Sequence, residues 1–232
     1  MKTAFISYKD REVLLEGFVA TPDEERKPLV ILCHAWRGRD EFICERAELV
    51  ASWGYTAFAL DMYGKGVLGH SKEENAALKK PFISDRAYLR RRLLCGYQAA
   101  CALPYADTSK IFVLGLGFGA VCALDLAQSG VPLNGAISIY GHFESVQGVP
   151  LHPITAKILI LHGALDSISP QTELTRFQAE LNAAHVDWQT HLFGTAMHAF
   201  ATPTANDPSA GILYDPLSAQ RSWQSIQDFL CL

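Results

Sequence analysis

Residues Lys110–Gln128, KIFVLGLGFGAVCALDLAQ, constrain this chain more than any other stretch. Ile111–Leu114 is a continuous apolar run, the pattern of a strand covered on both faces. Gly115-Leu116-Gly117-Phe118-Gly119 follows directly, and a helical pattern begins behind it. That helix places Ala120 and Ala123 where it must lie close to a sheet. Strand, sharp glycine turn and small-faced helix, in that order, make the unit around which the other elements have to be arranged.

Those other elements alternate. Thr3–Tyr8 and Val13–Ala20 change polarity residue by residue around Lys9-Asp10-Arg11, which predicts an antiparallel hairpin at a sheet edge. Leu29–Cys33, Tyr55–Leu60, Asn134–Tyr140, Ile158–Leu161 and Asp187–Phe193 read as strands. Helices are expected over Asp40–Trp53 (capped by Asp40 and stopped by Gly54), Ser84–Leu103, Pro170–Ala184 and Leu217–Leu230. A polar insertion separates Gly66 from Ser84, and loops are expected over Gly141–Pro153 and Gly194–Asp215. Strands alternating with helices imply an α/β fold: a mostly parallel central sheet of about eight strands, helices on both faces and an N-terminal antiparallel hairpin. At 232 residues, without a repeat or linker, 1–232 reads as a single domain.

Apolar residues make up 49% and charged residues 19% of the chain, enough to bury a sizeable core. A formal charge of −4 gives no reason to expect nucleic acid or an acidic membrane surface as partner. Arg90-Arg91-Arg92, the one basic run, reads as a solvated helix face. The N-terminus has too short an apolar run for a signal peptide and no stretch reaches the length of a membrane span, so a cytoplasmic protein is expected. The six cysteines show no metal or C-x-x-C spacing and read as buried free thiols.

Ligands in open α/β sheets bind beyond the carboxyl ends of the strands. Those ends carry His34–Gly38, Asp61–Gly64, the glycine turn, His142, Asp166 and His198. The turn has the outer glycines of G-x-S-x-G, the nucleophile elbow of the α/β-hydrolase fold, with Gly117 where a nucleophile belongs. Asp166 after a late strand and His198 after the last one continue the chain order nucleophile, acid, histidine. A histidine takes a proton near its own pKa, and a carboxylate fixes its tautomer and stabilises the imidazolium. Alone, Asp166 reads equally as a turn or capping residue and His198 as a surface histidine; their order and placement join them.

With these residues in view the chain resembles the dienelactone hydrolase family of α/β-hydrolases over nearly its whole length. The resemblance is carried by His34-Ala35-Trp36-Arg37-Gly38-Arg39, Asp61-Met62-Tyr63-Gly64-Lys65-Gly66, the elbow with Cys122–Ala127 behind it, His162-Gly163 with Asp166 and Pro170, and Met197-His198-Ala199-Phe200. Ala205–Pro208 and Arg221-Ser222-Trp223 extend it. It implies Asp166 and His198 as triad acid and base, the backbone N–H groups of Trp36 and Phe118 as oxyanion donors, and His34, Trp36, Tyr63, His142 and Phe200 as walls of a substrate pocket. Three positions depart from the family pattern: Gly117 replaces the cysteine, Ala35 replaces a glutamate often found after the strand-end histidine, and Thr202 replaces an arginine that grips a carboxylate. The expectation is an ester or lactone hydrolase scaffold, inactive or strongly impaired, acting on or binding a small molecule without cofactor or metal, as a monomer or homodimer.

Three other readings use the same residues. A displaced nucleophile would have to be Cys122, more than one helical turn past Gly117, or Cys33 beside the His34 loop. A non-catalytic module would hold an apolar or aromatic ligand in the inherited pocket. Gly115-x-Gly117-x-x-Ala120 also satisfies the dinucleotide fingerprint, but it sits mid-chain and the next strand, Asn134–Tyr140, carries no acid for a ribose.

Overall fold

The computed structural model describes residues 1–144 and 147–231. Ser145 and Val146, within the expected loop 141–153, lie outside the described residues. The sheet begins with strands β1 (Lys2–Asp10) and β2 (Val13–Thr21), a hairpin whose turn is Arg11-Glu12 with Arg11 at φ +54°. β3 (Lys27–Cys33), helix α1 (Glu41–Ser52) and β4 (Thr56–Leu60) follow. Then come α2 (Lys72–Ser84), α3 (Arg86–Cys101), β5 (Ala106–Leu116), α4 (Phe118–Ala127), β6 (Gly135–Ile139), β7 (Lys157–Gly163), α5 (Gln171–Ala183) and β8 (Trp188–Phe193). Two short strands, β9 (Asn206–Asp207) and β10 (Ile212–Leu213), precede α6 (Pro216–Leu230).

Eight strands form one sheet in the order β1-β2-β4-β3-β5-β6-β7-β8. β1/β2 and β2/β4 are antiparallel, and every later pair is parallel. The order turns back at β3, whose neighbours are β4 and β5, so the ends of β3 and β5 open side by side at the switch point where such sheets bind ligands. Apolar residues cover both faces. One cluster gathers Leu29, Ile31, Leu93, Val113, Cys122 and Phe177, the other Val30, Leu32, Ala47, Leu114, Trp223 and Phe229. Alternate residues of β3 thus point to opposite layers, as the two-residue strand period requires. All ten residues of α4 are buried, which explains why its sequence shows almost no polar face.

Three expectations are corrected. The polar insertion contains α2, capped by Ser71, whose hydroxyl accepts from Glu74 N at 3.1 Å, with Glu73 and Glu74 favouring its N-terminus. Only Phe82 of this helix is buried, so it carries no apolar stripe to read. The arginine run is not solvated: Arg92 is buried and its Nε donates to Asp10 Oδ2 at 2.9 Å, Arg91 binds the other oxygen of Asp10, and Arg90 binds buried Asp125 at 2.8 Å. Burial raises the Asp10 carboxyl, and the two guanidinium bonds more than offset this, leaving it below the usual carboxylate range. The cysteines are all free, but only Cys33 and Cys122 are buried. No helix among the described residues is long and apolar enough to cross a membrane.

Candidate active site

The elbow is set by what the glycines cannot carry. A Cβ on Gly115 would lie 1.8 Å from the Gly119 carbonyl oxygen, and one on Gly119 would lie 2.0 Å from the Cys33 carbonyl oxygen. Both clashes are with backbone, so these positions require glycine if the strand is to turn this tightly and α4 is to start against the end of β3. Gly117 differs. It sits at φ +56° and ψ −110°, and a Cβ there would meet only the Tyr140 ring, at 3.4 Å from Cε2 and 3.7 Å from Cδ2. Those are ordinary van der Waals contacts. The turn therefore has space for a side chain at 117 and holds a strained conformation that is easy only for glycine. Its backbone is pinned: Gly117 N donates to Ile139 O at 3.0 Å, and Gly117 O accepts from Ala120 N at 3.1 Å.

The acid and the histidine meet. Asp166 follows β7, and its Oδ1 accepts from Ile168 N at 3.0 Å and Ser169 N at 2.8 Å. Its Oδ2 accepts from His198 Nδ1 at 2.8 Å. Burial alone would raise this carboxyl. The bond to His198, its charge and the amides bring it below the ordinary value instead, so it is ionised at neutral pH and fixes the proton on Nδ1. Nε2 is left with the lone pair, and the His198 side chain is 13% exposed. The loop 194–215 holds this imidazole from behind through β10: His198 N donates to Gly211 O at 2.9 Å, and Leu213 N to His198 O at 3.1 Å. Lys72 of α2 reaches Asp207 at 2.5 Å, tying the same loop to the helix beside the cleft.

Tyr140 joins the two halves. Its ring is the surface a Cβ at 117 would touch, and it stands edge-on to His198 with centroids 5.4 Å apart. Its hydroxyl shares a hydrogen bond with Thr202 at 2.8 Å, which accounts for Thr202 in its present place. From sequence Tyr140 is only the end of a strand; in the structure it sits one residue past β6, with φ +39°. His162 was likewise read only as part of a motif: its Nε2 bonds Ser169 O at 2.9 Å and so buttresses the turn whose amides hold Asp166.

Trp36 and Phe118 fall at the ends of β3 and β5, and among the described residues neither backbone N–H has an internal acceptor. Phe118 opens α4, where helix amides point outward unpaired. The Tyr63 hydroxyl donates to Trp36 O at 3.0 Å, and its ring stacks on Phe118 at 5.9 Å. A narrow cleft of about 70 Å³ is lined by Lys79, Ile83, Phe118, Val121 and His142 among others. An adjoining one of about 240 Å³ shares Val121 and His142 and runs on to Phe143 and Phe177.

Two expected pocket walls are elsewhere. His34 is fully buried, its Nε2 accepting from Met62 N at 3.2 Å and its Nδ1 donating to Ala35 O at 2.7 Å, so it braces the β3 and β4 ends from below. Phe200 is also fully buried, against Tyr140 and Phe193. Both sit in strand-end motifs, and nothing in a motif separates a residue facing the cleft from one facing the core. Cys33 and Cys122 are buried, which pushes both thiols upward, so neither supplies a displaced nucleophile.

His142 faces the cleft and lies 5.5 Å from His198, ring to ring. Burial, then the charges of His198 and Lys79, push its pKa down to about 4, against a partial opposing pull from Asp166. A histidine lowered from 6.5 leaves the unfolded state holding more protons between those values, so this group's effect on stability worsens as pH falls from about 6.5 to 4 and is constant below. His142→Gln is expected to remove on the order of 3 kcal/mol of acid-side loss. Urea unfolding at pH 7 and pH 4 checks it; equal losses in parent and variant would count against a neutral buried His142.

Residues 15–231 match the dienelactone hydrolase family. A search of curated proteins gave no match. Among solved structures, the chain is 27% identical to the protein called m3DLH, with TM-score 0.90 over 99% of this chain and 97% of that one. It is 26% identical to a dienelactone hydrolase-like promiscuous phosphotriesterase from metagenomic libraries, again with TM-score 0.90 over 99% and 97%. An α/β-hydrolase from a Medee basin deep-sea metagenome library, 18% identical, shares the fold at TM-score 0.66 over 99% of both chains. A match spanning nearly the whole chain, on a sheet and elbow of this form, makes it a member of the dienelactone hydrolase family.

Proposed function

We propose that this chain keeps the ester- and lactone-cleaving apparatus of its family in every part except the nucleophile. The observation that carries this reading is the 2.8 Å bond from His198 Nδ1 to Asp166, which leaves Nε2 free beside the Tyr140 ring that a side chain at 117 would touch. A base held this way and unpaired amides at Trp36 and Phe118 serve acyl transfer. With glycine at 117, no covalent acyl-enzyme forms. Loss of a triad nucleophile typically costs ~10⁶ in kcat and leaves ~10³–10⁴-fold acceleration over water from the oxyanion hole and binding. Hydrolysis of p-nitrophenyl acetate is therefore expected to be weak or undetectable, without a burst. Fast turnover with a stoichiometric burst from the purified protein would overturn the reading. A p-nitrophenyl phosphotriester belongs in the same assay, because a relative of 26% identity is described as a phosphotriesterase.

A second reading, a module that binds without chemistry, is favoured only by the adjoining cleft of about 240 Å³ with Phe143 and Phe177 in its walls. A binding module has no need of the aligned Asp166–His198 pair, so the hydrolase scaffold is preferred. Thermal-shift screening with lactones and aromatic acids separates the two: a stabilising ligand that is not turned over supports the binding module.

A further inference from the structure

We propose that Arg86 forms an anion subsite at the far end of the cleft, and that the substrate is a half-ester of a dicarboxylic acid, whose free carboxylate lies several carbons beyond the scissile carbonyl. This rests on the acyl-transfer reading above and names its substrate class.

Three clefts meet at Arg86. The one of about 70 Å³ reaches it past Ile83, Phe118 and Val121, the one of about 240 Å³ past Leu124 and Phe177, and a third, of about 480 Å³, past Ser84 and Ala87. The Arg86 side chain is 13% exposed and is held from behind, with its Nε 3.3 Å from Oδ2 of the buried Asp125. Among the described residues its two terminal nitrogens have no acceptor. Arg90, the other guanidinium on Asp125, is fully engaged: its Nε donates to Oδ1 at 2.8 Å and its Nη1 to the Pro150 carbonyl oxygen. Two guanidiniums thus share one carboxylate, and a second carboxylate placed on the Arg86 fork would balance the charge through paired hydrogen bonds. Lys79 in the narrow cleft adds positive charge. Of the carboxylates that face the clefts, Glu180 is paired with Arg176 and Asp85 caps α3 by accepting from Tyr88 N at 2.9 Å. Glu144 is exposed, lines all three clefts and opposes an anion.

The helix sets the length of the substrate. Phe118, Val121 and Asp125 stand at i, i+3 and i+7 on α4 and so share one stripe. A rise of 1.5 Å per residue puts Asp125 about 10 Å along the axis from Phe118, whose N–H is the proposed oxyanion donor. Arg86 lies on Asp125, and the walls between are Ile83, Phe118 and Val121, which suit methylenes. That span predicts an acyl chain of roughly six to eight carbons, adipate to suberate. Thr202 is not part of this subsite, because its hydroxyl is bonded to Tyr140.

Binding is measured first in the parent protein, by NMR titration with monomethyl adipate and monomethyl suberate against the neutral dimethyl esters. Expected is saturable binding of the half-esters, about tenfold tighter than that of the diesters and weakened by added salt. Arg86→Gln should abolish the preference, Arg86→Lys should keep part of it, and Glu144→Gln, at an exposed position, should strengthen it. Equal binding of half-esters and diesters by the parent, or a preference unchanged in folded Arg86→Gln and Arg86→Lys, would overturn the proposal. Turnover is then read in Gly117→Cys, with 4-nitrophenyl hydrogen adipate against its neutral methyl ester. The acid should be favoured about tenfold in kcat/KM, through KM, and Arg86→Gln should level the two. If Gly117→Cys cleaves both esters equally, the scaffold reading stands and the anion subsite falls. If the parent binds half-esters through Arg86 but Gly117→Cys cleaves neither ester, the subsite stands, and the acyl-transfer reading falls together with the substrate assignment.

Discussion

Gly117→Cys is expected to give the protein a titratable thiol and to raise its hydrolysis of p-nitrophenyl acetate by at least ~10²–10³-fold. The gain follows from parts already in place. A Cβ at 117 meets Tyr140 at ordinary contact distance, so the fold has space for it. The positive φ costs a side chain of order 1–3 kcal/mol, a strain that persists where surrounding structure over-determines it; here the Ile139 and Ala120 hydrogen bonds and the fully buried α4 do so. A thiol at that point stands at a helix N-terminus beside an imidazole, and both lower its pKa. Replacing a nucleophile is worth up to ~10⁶, but Ala35 stands where family members often have a glutamate that helps control the thiol, so only part of that gain is expected. Iodoacetamide should then label residue 117 faster than a free thiol and abolish the new activity in proportion. Asp166→Asn added to the variant should remove most of the gained activity, since the wrong tautomer then faces the thiol. A folded Gly117→Cys whose thiol reacts at the solution rate and whose esterase rate equals the parent's would show that Asp166 and His198 no longer serve catalysis.

Much of this arrangement was legible because its signals are local. Buried parallel strands need unbroken apolar runs, so β3, β4, β6 and β7 were found within a residue or two, and Asp40 marked the start of α1 by its side-chain cap. The chain order of Gly117, Asp166 and His198 likewise survives in a string of letters. What escaped depends on partners far away in sequence. The arginine run looks like a solvated face until Asp10 and Asp125 are folded against it. α2 escaped because a helix lying on the rim buries one residue and has no stripe. The family resemblance puts His34 and Phe200 in the pocket wall, whereas each side chain turns into the core. Tyr140 was missed for the reverse reason: as an apolar ring ending a strand it reads as core, and its role comes from standing between two sites 23 and 58 residues away on either side.

The second large effect is structural. Gly119→Ala is expected to destabilise the fold by more than ~4 kcal/mol and to yield little folded protein, whereas Gly117→Ala costs only ~1–3 kcal/mol. The added methyl at 119 would sit 2.0 Å from the Cys33 carbonyl oxygen and 2.7 Å from that of His34. Neither can yield easily, because β3 is hydrogen-bonded between β4 and β5 and Cys33 is paired with Leu60 on one side and Gly115 on the other. Relief requires α4 to lift from the sheet, and every one of its residues is buried. The same close approach serves the site. It brings the N–H of Phe118 at the head of α4 towards the loop that carries the N–H of Trp36, so the oxyanion hole proposed there depends on packing at Gly119, and the proposed nucleophile position on the strained turn at Gly117. Urea unfolding midpoints of the two alanine variants, measured side by side, decide the matter. If Gly119→Ala folds within 1 kcal/mol of the parent, the contact between α4 and β3 is not what holds the turn.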